Sequence, residues 1–359
     1  MSSAKPSNNT SYNAEKENIK YSIIIPAFNR ADELSDLLNS LEKLEFPKNK
    51  FEVIVSDDGS TDNTEELVNK KINENKYQLF YISQQNQGPG AARNAGMKKA
   101  RGDFFIFVDS DVTMPANWLG NIDRTITAEQ ADAFGGPDTY RDDFPALLKA
   151  INYSMTSFIT TGGLRGKKGK KLAKFYPRSF NMGLSRELWQ KIGGFGGLRH
   201  GQDIEFSHRI LKSGAKVVFV SDAPVYHKRR TNLRRFYRQV FNWGVARINL
   251  YKIDSGMLEP LHAAPAMATL FVIAVIILSV FFKPIYYFLL MGLVAALMIL
   301  IFSMFDAYRI YKSIKPALLL PFVMPAQIFG YGLGFIYNFI RRVVLNKKEK
   351  IGFRKNYYK

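Results

Sequence analysis

Residues 21–25 (Tyr-Ser-Ile-Ile-Ile) form a short apolar run closed by Pro26, the pattern of a buried strand. Leu34, Leu37, Leu38, Leu41 and Leu44 then recur at helical spacing across 31–44. A second strand runs from Phe51 to Val55 and ends in Ser56-Asp57-Asp58-Gly59-Ser60. A helix from about Thr64, a strand around Leu79–Ile82, a helix over 90–100 opened by Gly88-Pro89-Gly90, and a fully apolar strand Phe104–Val108 follow. Strand and helix alternating at this interval predict an α/β fold with a mainly parallel sheet covered on both faces.

In such sheets ligands bind beyond the carboxyl ends of the strands, and the polar residues gather there. Asn29 and Arg30 follow the first strand, Asp57 and Asp58 the second, Asp109 and Asp111 the fourth. Each cluster also reads as turn chemistry, but three on one edge favour a site. Asp109-Ser110-Asp111 places two carboxylates at i and i+2 on an emerging chain, where they can hold a hard divalent cation that in turn neutralises a diphosphate. Asp57-Asp58-Gly59-Ser60-Thr61-Asp62 reads as a turn with Thr61 or Asp62 capping the next helix. A carboxylate there can equally accept from a uracil or guanine N–H. Asp57 and Asp58 are not separable on sequence.

The hydropathy changes after residue 258. Residues 260–282 and 285–305 contain no Asp, Glu, Lys or Arg, and each run is long enough to cross a hydrocarbon core of about 30 Å. A third uncharged run, 316–340, is interrupted by Pro321, Pro325, Gly330, Gly332 and Gly334, which punctuate a helix. Basic residues flank it at Arg309, Lys312, Lys315, Arg341 and Arg342, and the positive-inside rule wants both flanks in the cytoplasm. The expectation is a broken, re-entrant or interfacial segment, with spanning as the alternative. Residues 233–258 read as an interfacial amphipathic helix and linker, with Trp243 at the interface. Residues 1–19 are Ser/Asn-rich without an apolar signal-peptide core and are expected to be disordered, which keeps the part up to residue 258 in the cytoplasm.

Charge sharpens this picture. The chain of 359 residues carries a formal net charge of +19. Three segments hold it: 165–174, 228–238 and the tail 341–359. Such clusters suit an anionic membrane face, and beside two long apolar runs nucleic acid falls behind as a partner. The 165–174 run is either a solvated loop or a lid over a phosphate-bearing ligand. Cysteine is absent, which excludes disulfides, thiolate metal sites and cysteine nucleophiles.

With these residues in place, the chain resembles glycosyltransferase family 2 over roughly 20–245. The resemblance rests on Ile25-Pro26-Ala27-Phe28-Asn29, Asp57-Asp58-Gly59-Ser60-Thr61-Asp62, Gln87 to Gly96, Gly102 to Asp111, Asn181-Met182-Gly183, Gly193-Gly194-Phe195, Gly201-Gln202-Asp203-Ile204-Glu205, Arg209 and Val225-Tyr226-His227. It implies a GT-A fold over 20–232, inversion at the sugar, and a nucleotide-diphosphate sugar donor. Pro26, Phe28 and Asn29 would line the nucleotide pocket, Asp57 or Asp58 would bind the base, and Arg93 would contact the nucleotide. Asp109, Ser110 and Asp111 would handle ribose, diphosphate and a Mg²⁺ or Mn²⁺ ion. His227 would add a metal or diphosphate contact, and Asp203 would be the catalytic base.

Two departures from the family pattern stand out. Gln202 replaces the usual Glu before the base, and Gly196 replaces the usual acid after Gly-Gly-Phe. The Gln-x-x-Arg-Trp motif of processive synthases is also not intact, since Gln239 is followed by Val240-Phe241-Asn242-Trp243. A general base suits a hydroxyl acceptor on a lipid-linked sugar or glycan, whereas a polyprenyl phosphate hardly needs one. Asp203 could alternatively cap the helix through Ile204–Leu211, and a lone histidine such as His227 could be structural. The expectation is a multi-pass enzyme of the plasma membrane, its catalytic domain cytoplasmic, serving cell-envelope polysaccharide synthesis. A polyprenyl-phosphate transferase and a processive synthase are the alternatives.

Overall fold

The computed structural model describes residues 19–161, 175–198, 200–227 and 232–349. The basic run 165–174, most of the N-terminal segment, Lys228 to Thr231 and the end of the tail lie outside the described residues. Strand β1 (Tyr21–Ala27), helix α1 (Ala31–Glu42), β2 (Phe51–Asp57), α2 (Thr64–Glu74), β3 (Gln78–Ser83), α3 (Pro89–Lys99) and β4 (Phe104–Phe107) alternate as the periodicity predicts. There follow β5 (Val112–Thr113), α4 (Trp118–Ala128), β6 (Ala133–Gly135), β7 (Asp138–Thr139), α5 (Ala146–Thr156) and the short α6 (Phe158–Thr161). The domain closes with β8 (Met182–Ser185), α7 (Arg186–Ile192), α8 (Gln202–Lys212), β9 (Val217–Phe219) and β10 (Val225–His227).

Seven strands form the main sheet in the order β3-β2-β1-β4-β8-β6-β9. β1, β2, β3 and β4 run parallel, and β8 is antiparallel to both its neighbours. Ile23, Ile25, Val53, Val55 and Ile106 face the α1/α2/α4 side, and Ile24, Ile54, Phe105 and Phe107 face α3, α7 and α8. Both faces are therefore dry, which is why these strands read as unbroken apolar runs. A second sheet, β5-β10-β7, lies beyond the end of β4.

After residue 232 come α9 (Leu233–Ile253), α10 (Pro260–Ser279), α11 (Lys283–Tyr311) and α12 (Ile314–Phe339). The last three are long and apolar enough to cross a membrane. They differ in what they touch. Only 6% of the most apolar window of α11 is buried, against 39% for α12, which lies along α9 and α5. Contrary to the sequence expectation, α12 is continuous through Pro321 and Pro325. Its glycines serve contact rather than interruption. A Cβ on Gly334 would lie 2.0 Å from the Phe241 carbonyl oxygen, and one on Gly244 of α9 would lie 2.1 Å from that of Tyr331. The two helices meet backbone to backbone there, as small residues allow. Buried polar pairs also tie the apolar helices to the domain: Ser154 of α5 donates to Gln327 of α12 (2.6 Å), Asn152 of α5 to the Tyr311 hydroxyl of α11 (3.0 Å), and Asn338 of α12 to Asn249 of α9 (2.8 Å).

Gly334→Ala should cost roughly 1–3 kcal/mol through overpacking. Gly120→Ala, on a helix with nothing within 4 Å of the added methyl, should be neutral or stabilising by up to about 1 kcal/mol. Thermal unfolding in detergent reads both, and equal midpoints for the two variants would contradict the backbone contact.

Candidate active site

The second sheet assembles the site. Its register pairs His227 with Val112, one residue beyond Asp111, and Val225 with Asp138. Asp111, His227 and Asp138 thereby come together at the carboxyl end of β4. His227 Nε2 lies 3.2 Å from Asp111 Oδ1, and Nδ1 lies 3.6 Å from Asp138 Oδ2. Ligand atoms of Asp109, Asp111 and His227 all fall within 4.8 Å of one another. Two carboxylates and an imidazole suit Mg²⁺ or Mn²⁺, so the residues present fit the expected ion. Burial lowers the affinity of His227 for a proton, but Asp111 and Asp138 outweigh it and raise its pKa to about 9. Burial pushes the Asp109 carboxyl up as well, opposed by Arg93, whose guanidinium donates to Asp109 Oδ1 at 2.5 Å.

Arg93 is carried by α3, and the start of α3 is fixed by Asp58. That carboxylate accepts from Gln87 N (2.9 Å), Gly88 N (2.6 Å) and the Gln84 amide (2.7 Å), the arrangement a helix N-terminus favours. Burial raises the Asp58 pKa while these donors oppose it. Asp57 holds its own turn, accepting from the Ser60 N–H and hydroxyl and from the Tyr81 hydroxyl at 2.6 Å. The two carboxylates that were indistinguishable by sequence thus have different settings. Asn29, at φ 51°, accepts from Thr61 N at 2.7 Å and joins the loop after β1, which also carries Phe28, to the loop after β2, while Pro26 lies within β1. Asp62 caps α2 through Thr64 N.

Residues 22–193 match the sequence model of glycosyl transferase family 2. The chain carries a family 2 glycosyltransferase domain. Among curated proteins it is 44% identical over 93 residues to the poly(ribitol-phosphate) beta-N-acetylglucosaminyltransferase TarS of Staphylococcus aureus, a stretch that is 26% of this chain and 16% of TarS. It is 27% identical over 236 residues to glycosyltransferase AglE of Haloferax volcanii, covering 65% of this chain and 74% of AglE. Among solved structures, the mannosyltransferase PcManGT from Pyrobaculum calidifontis, in complex with GDP-Man and Mn2+, shares the fold at TM-score 0.63 and 18% identity, over 89% of this chain and 88% of that one.

Beyond the matched residues, Asp203 sits in the first turn of α8, with Oδ2 3.3 Å from Arg178 Nη1. The departures around it fit one another. Gln202 donates to the Gly196 carbonyl at 3.1 Å, which a carboxylate there could not do. A Cβ on Gly196 would lie 3.3 Å from Glu205 Oε2, so an acid at 196 would meet a like charge. Arg209 grips that Glu205 and caps the chain after α7 through the Ile192 and Gly194 carbonyls. Asn94 bonds both the N–H (2.8 Å) and the carbonyl (2.9 Å) of Phe195, locking the Gly-Gly-Phe loop to α3. Asn181, part of the family pattern, is fully buried and bridges Pro137 and Ala223.

Sequence reasoning missed Asp138 and Arg178. Neither was singled out by a motif: Asp138 lies on a two-residue strand, and Arg178 lies three residues before the Asn181-Met182-Gly183 run. No local signal marks either one, because both are placed by long-range pairing.

Metal-free, the imidazolium between two carboxylates stabilises the fold. That contribution is fully present below about pH 6.5 and is lost as pH rises through the folded value of about 9. Histidine NMR in EDTA should show His227 titrating near that value, and Asp138→Asn should lower it. An ordinary titration near 6.5 would contradict the arrangement.

Proposed function

We propose that this chain transfers a sugar, with inversion, from a nucleotide-diphosphate donor to a lipid-linked or glycan acceptor at the cytoplasmic face of a membrane. The observation that carries the reading is the convergence of Asp109, Asp111 and His227, with Arg93 beside them, in a chain whose residues 22–193 match the family 2 model. Pro26, Phe28, Asn29, Asp57, Asp58 and Ser110 line the nucleotide side, and Asp58, already satisfied by three protein donors, positions α3. Asp57 likewise accepts from three protein donors, the Ser60 N–H and hydroxyl and the Tyr81 hydroxyl, so the base contact is assigned to Asp57 or Asp58.

Asp109, Asp111 and His227 would hold Mg²⁺ or Mn²⁺, which supplies positive charge to stabilise the departing diphosphate. Arg93 orients Asp109 and adds a fixed cation. Asp203 takes the proton from the attacking hydroxyl, and Arg178 aims its carboxylate. General-base assistance of this kind is worth about 10²–10⁴-fold. Single displacement inverts the anomeric centre with one carboxylate, unlike the pair that glycoside hydrolysis uses.

The apolar helices attach the domain to the membrane. Val280 and Phe281, at the turn between α10 and α11, are the most exposed of its large apolar residues, at 77% and 74%. This hairpin enters the bilayer, while α12 lies along α9 and α5 at the interface. The basic residues Arg309, Lys312, Lys315, Arg341 and Arg342 then share the side of the catalytic domain, as the positive-inside rule requires.

Detergent-purified protein with Mn²⁺ should release nucleotide from one of a panel of UDP-, GDP- and dTDP-sugars. Asp111→Ala and EDTA should each abolish release. Asp203→Asn should reduce transfer by about 10²-fold or more. Turnover retained in Asp203→Asn would replace the hydroxyl acceptor with a polyprenyl phosphate, and no donor bound by folded protein would sink the reading.

A further inference from the structure

Asp138 has no part in the transfer proposed above, yet its side chain is only 4% exposed, and a buried carboxylate is costly unless a partner meets it. Its place is set by pairing on both sides. β7 pairs with β10 so that Asp138 lies opposite Val225 and Thr139 opposite Tyr226, and β10 pairs with β5 so that His227 lies opposite Val112. The fully buried Asn181 fixes both strand entries. Its side-chain amide donates to the carbonyls of Pro137 (3.1 Å), one residue before β7, and Ala223 (2.8 Å), two before β10. The imidazole of His227 therefore has a carboxylate at each edge, Asp111 3.2 Å from Nε2 and Asp138 3.6 Å from Nδ1. Phe180 lies against the same ring, its centroid 5.4 Å away. The two edges are not equivalent. The cluster of ligand atoms within 4.8 Å joins His227 to Asp109 and Asp111 and does not include Asp138. Nδ1 is buried and makes no hydrogen bond among the described residues. A buried N–H without an acceptor is costly, and Asp138 is the carboxylate that faces it, just beyond hydrogen-bond distance.

We propose that Asp138 is a positioning residue for the metal centre: it accepts the Nδ1 proton of His227 and so holds the ring in the tautomer and rotation that turn Nε2 toward the ion. A ring nitrogen binds a metal through its lone pair, so the proton of a neutral ring that ligates through Nε2 sits on Nδ1. That is the nitrogen facing Asp138. The carboxylate acts through the imidazole and is not itself a ligand, and outer partners of this kind tune how tightly a metal is held. This rests on the reading above of Asp109, Asp111 and His227 as the ion's ligands, and it gives that site an outer carboxylate from a different strand.

The test is a double-mutant cycle read as Mn²⁺ affinity, from the EPR signal of free Mn²⁺, with the full chain in detergent and no nucleotide. Asp138→Ala should weaken Mn²⁺ binding about 10–100-fold. Asp138→Asn keeps an acceptor oxygen and should give an intermediate loss. In a His227→Ala background, Asp138→Ala should change the affinity by no more than about 2-fold, because the carboxylate has lost the ring it acts through. If Asp138→Ala does not fold, Asp138→Asn with and without His227→Ala is read in its place. Unchanged Mn²⁺ affinity in the Asp138 variant overturns the positioning role. So does an equal loss with and without His227, which would make Asp138 a ligand or a bare charge beside the ion. Folded wild type that binds no Mn²⁺ would instead remove the metal assignment on which the transferase reading stands, and the positioning role with it.

Discussion

Two carboxylates leaving a buried strand two residues apart repel each other, and in a partly desolvated edge that repulsion needs positive charge close by. Much of the architecture around β4 supplies it. Asp58 fixes the start of α3, and α3 delivers Arg93 to Asp109. The small sheet exists to bring β10 beside β5, which sets His227 against Asp111. Asp138 then approaches the far nitrogen of the same ring, so that the imidazole cannot rotate away without losing one of its two partners. The site is a balance of charges first, and the chemistry proposed for it uses that balance.

The strands and helices of the first hundred residues were legible because each carries a complete local signal. The leucines of α1 repeat at one helical face, and Ile23 to Ile25 alternate between two dry faces of a sheet. The loop residues were legible for the same reason: Asp109 and Asp111 follow a strand too apolar to be anything but central. What stayed hidden depends on contacts between distant segments. Asp57 and Asp58 have the same chemistry, and only the arrival of Gln87 and Gly88 at one and Tyr81 at the other tells them apart. Asp138 and Arg178 have no neighbours in sequence that announce them.

The third apolar run shows how one residue type can mislead. Glycine and proline together read as breaks in a helix, and in an isolated helix they would be. In α12 the prolines are accommodated by a continuous helix, and the glycines are where α9 must come within contact of the backbone. The break inferred from these residues is absent.

How α12 packs bears on where the protein can be divided. A boundary drawn by hydropathy falls near residue 258 and would separate the α/β domain from the apolar helices. Ser154 and Asn152 of α5, however, have partners in Gln327 and Tyr311, and Asn249 of α9 has one in Asn338. Removing the apolar helices would strip a face from α5 and α9. The apolar helices are thus part of the walls of the domain, and a version shortened at that boundary would keep the Asp109, Asp111 and His227 cluster on a different surface.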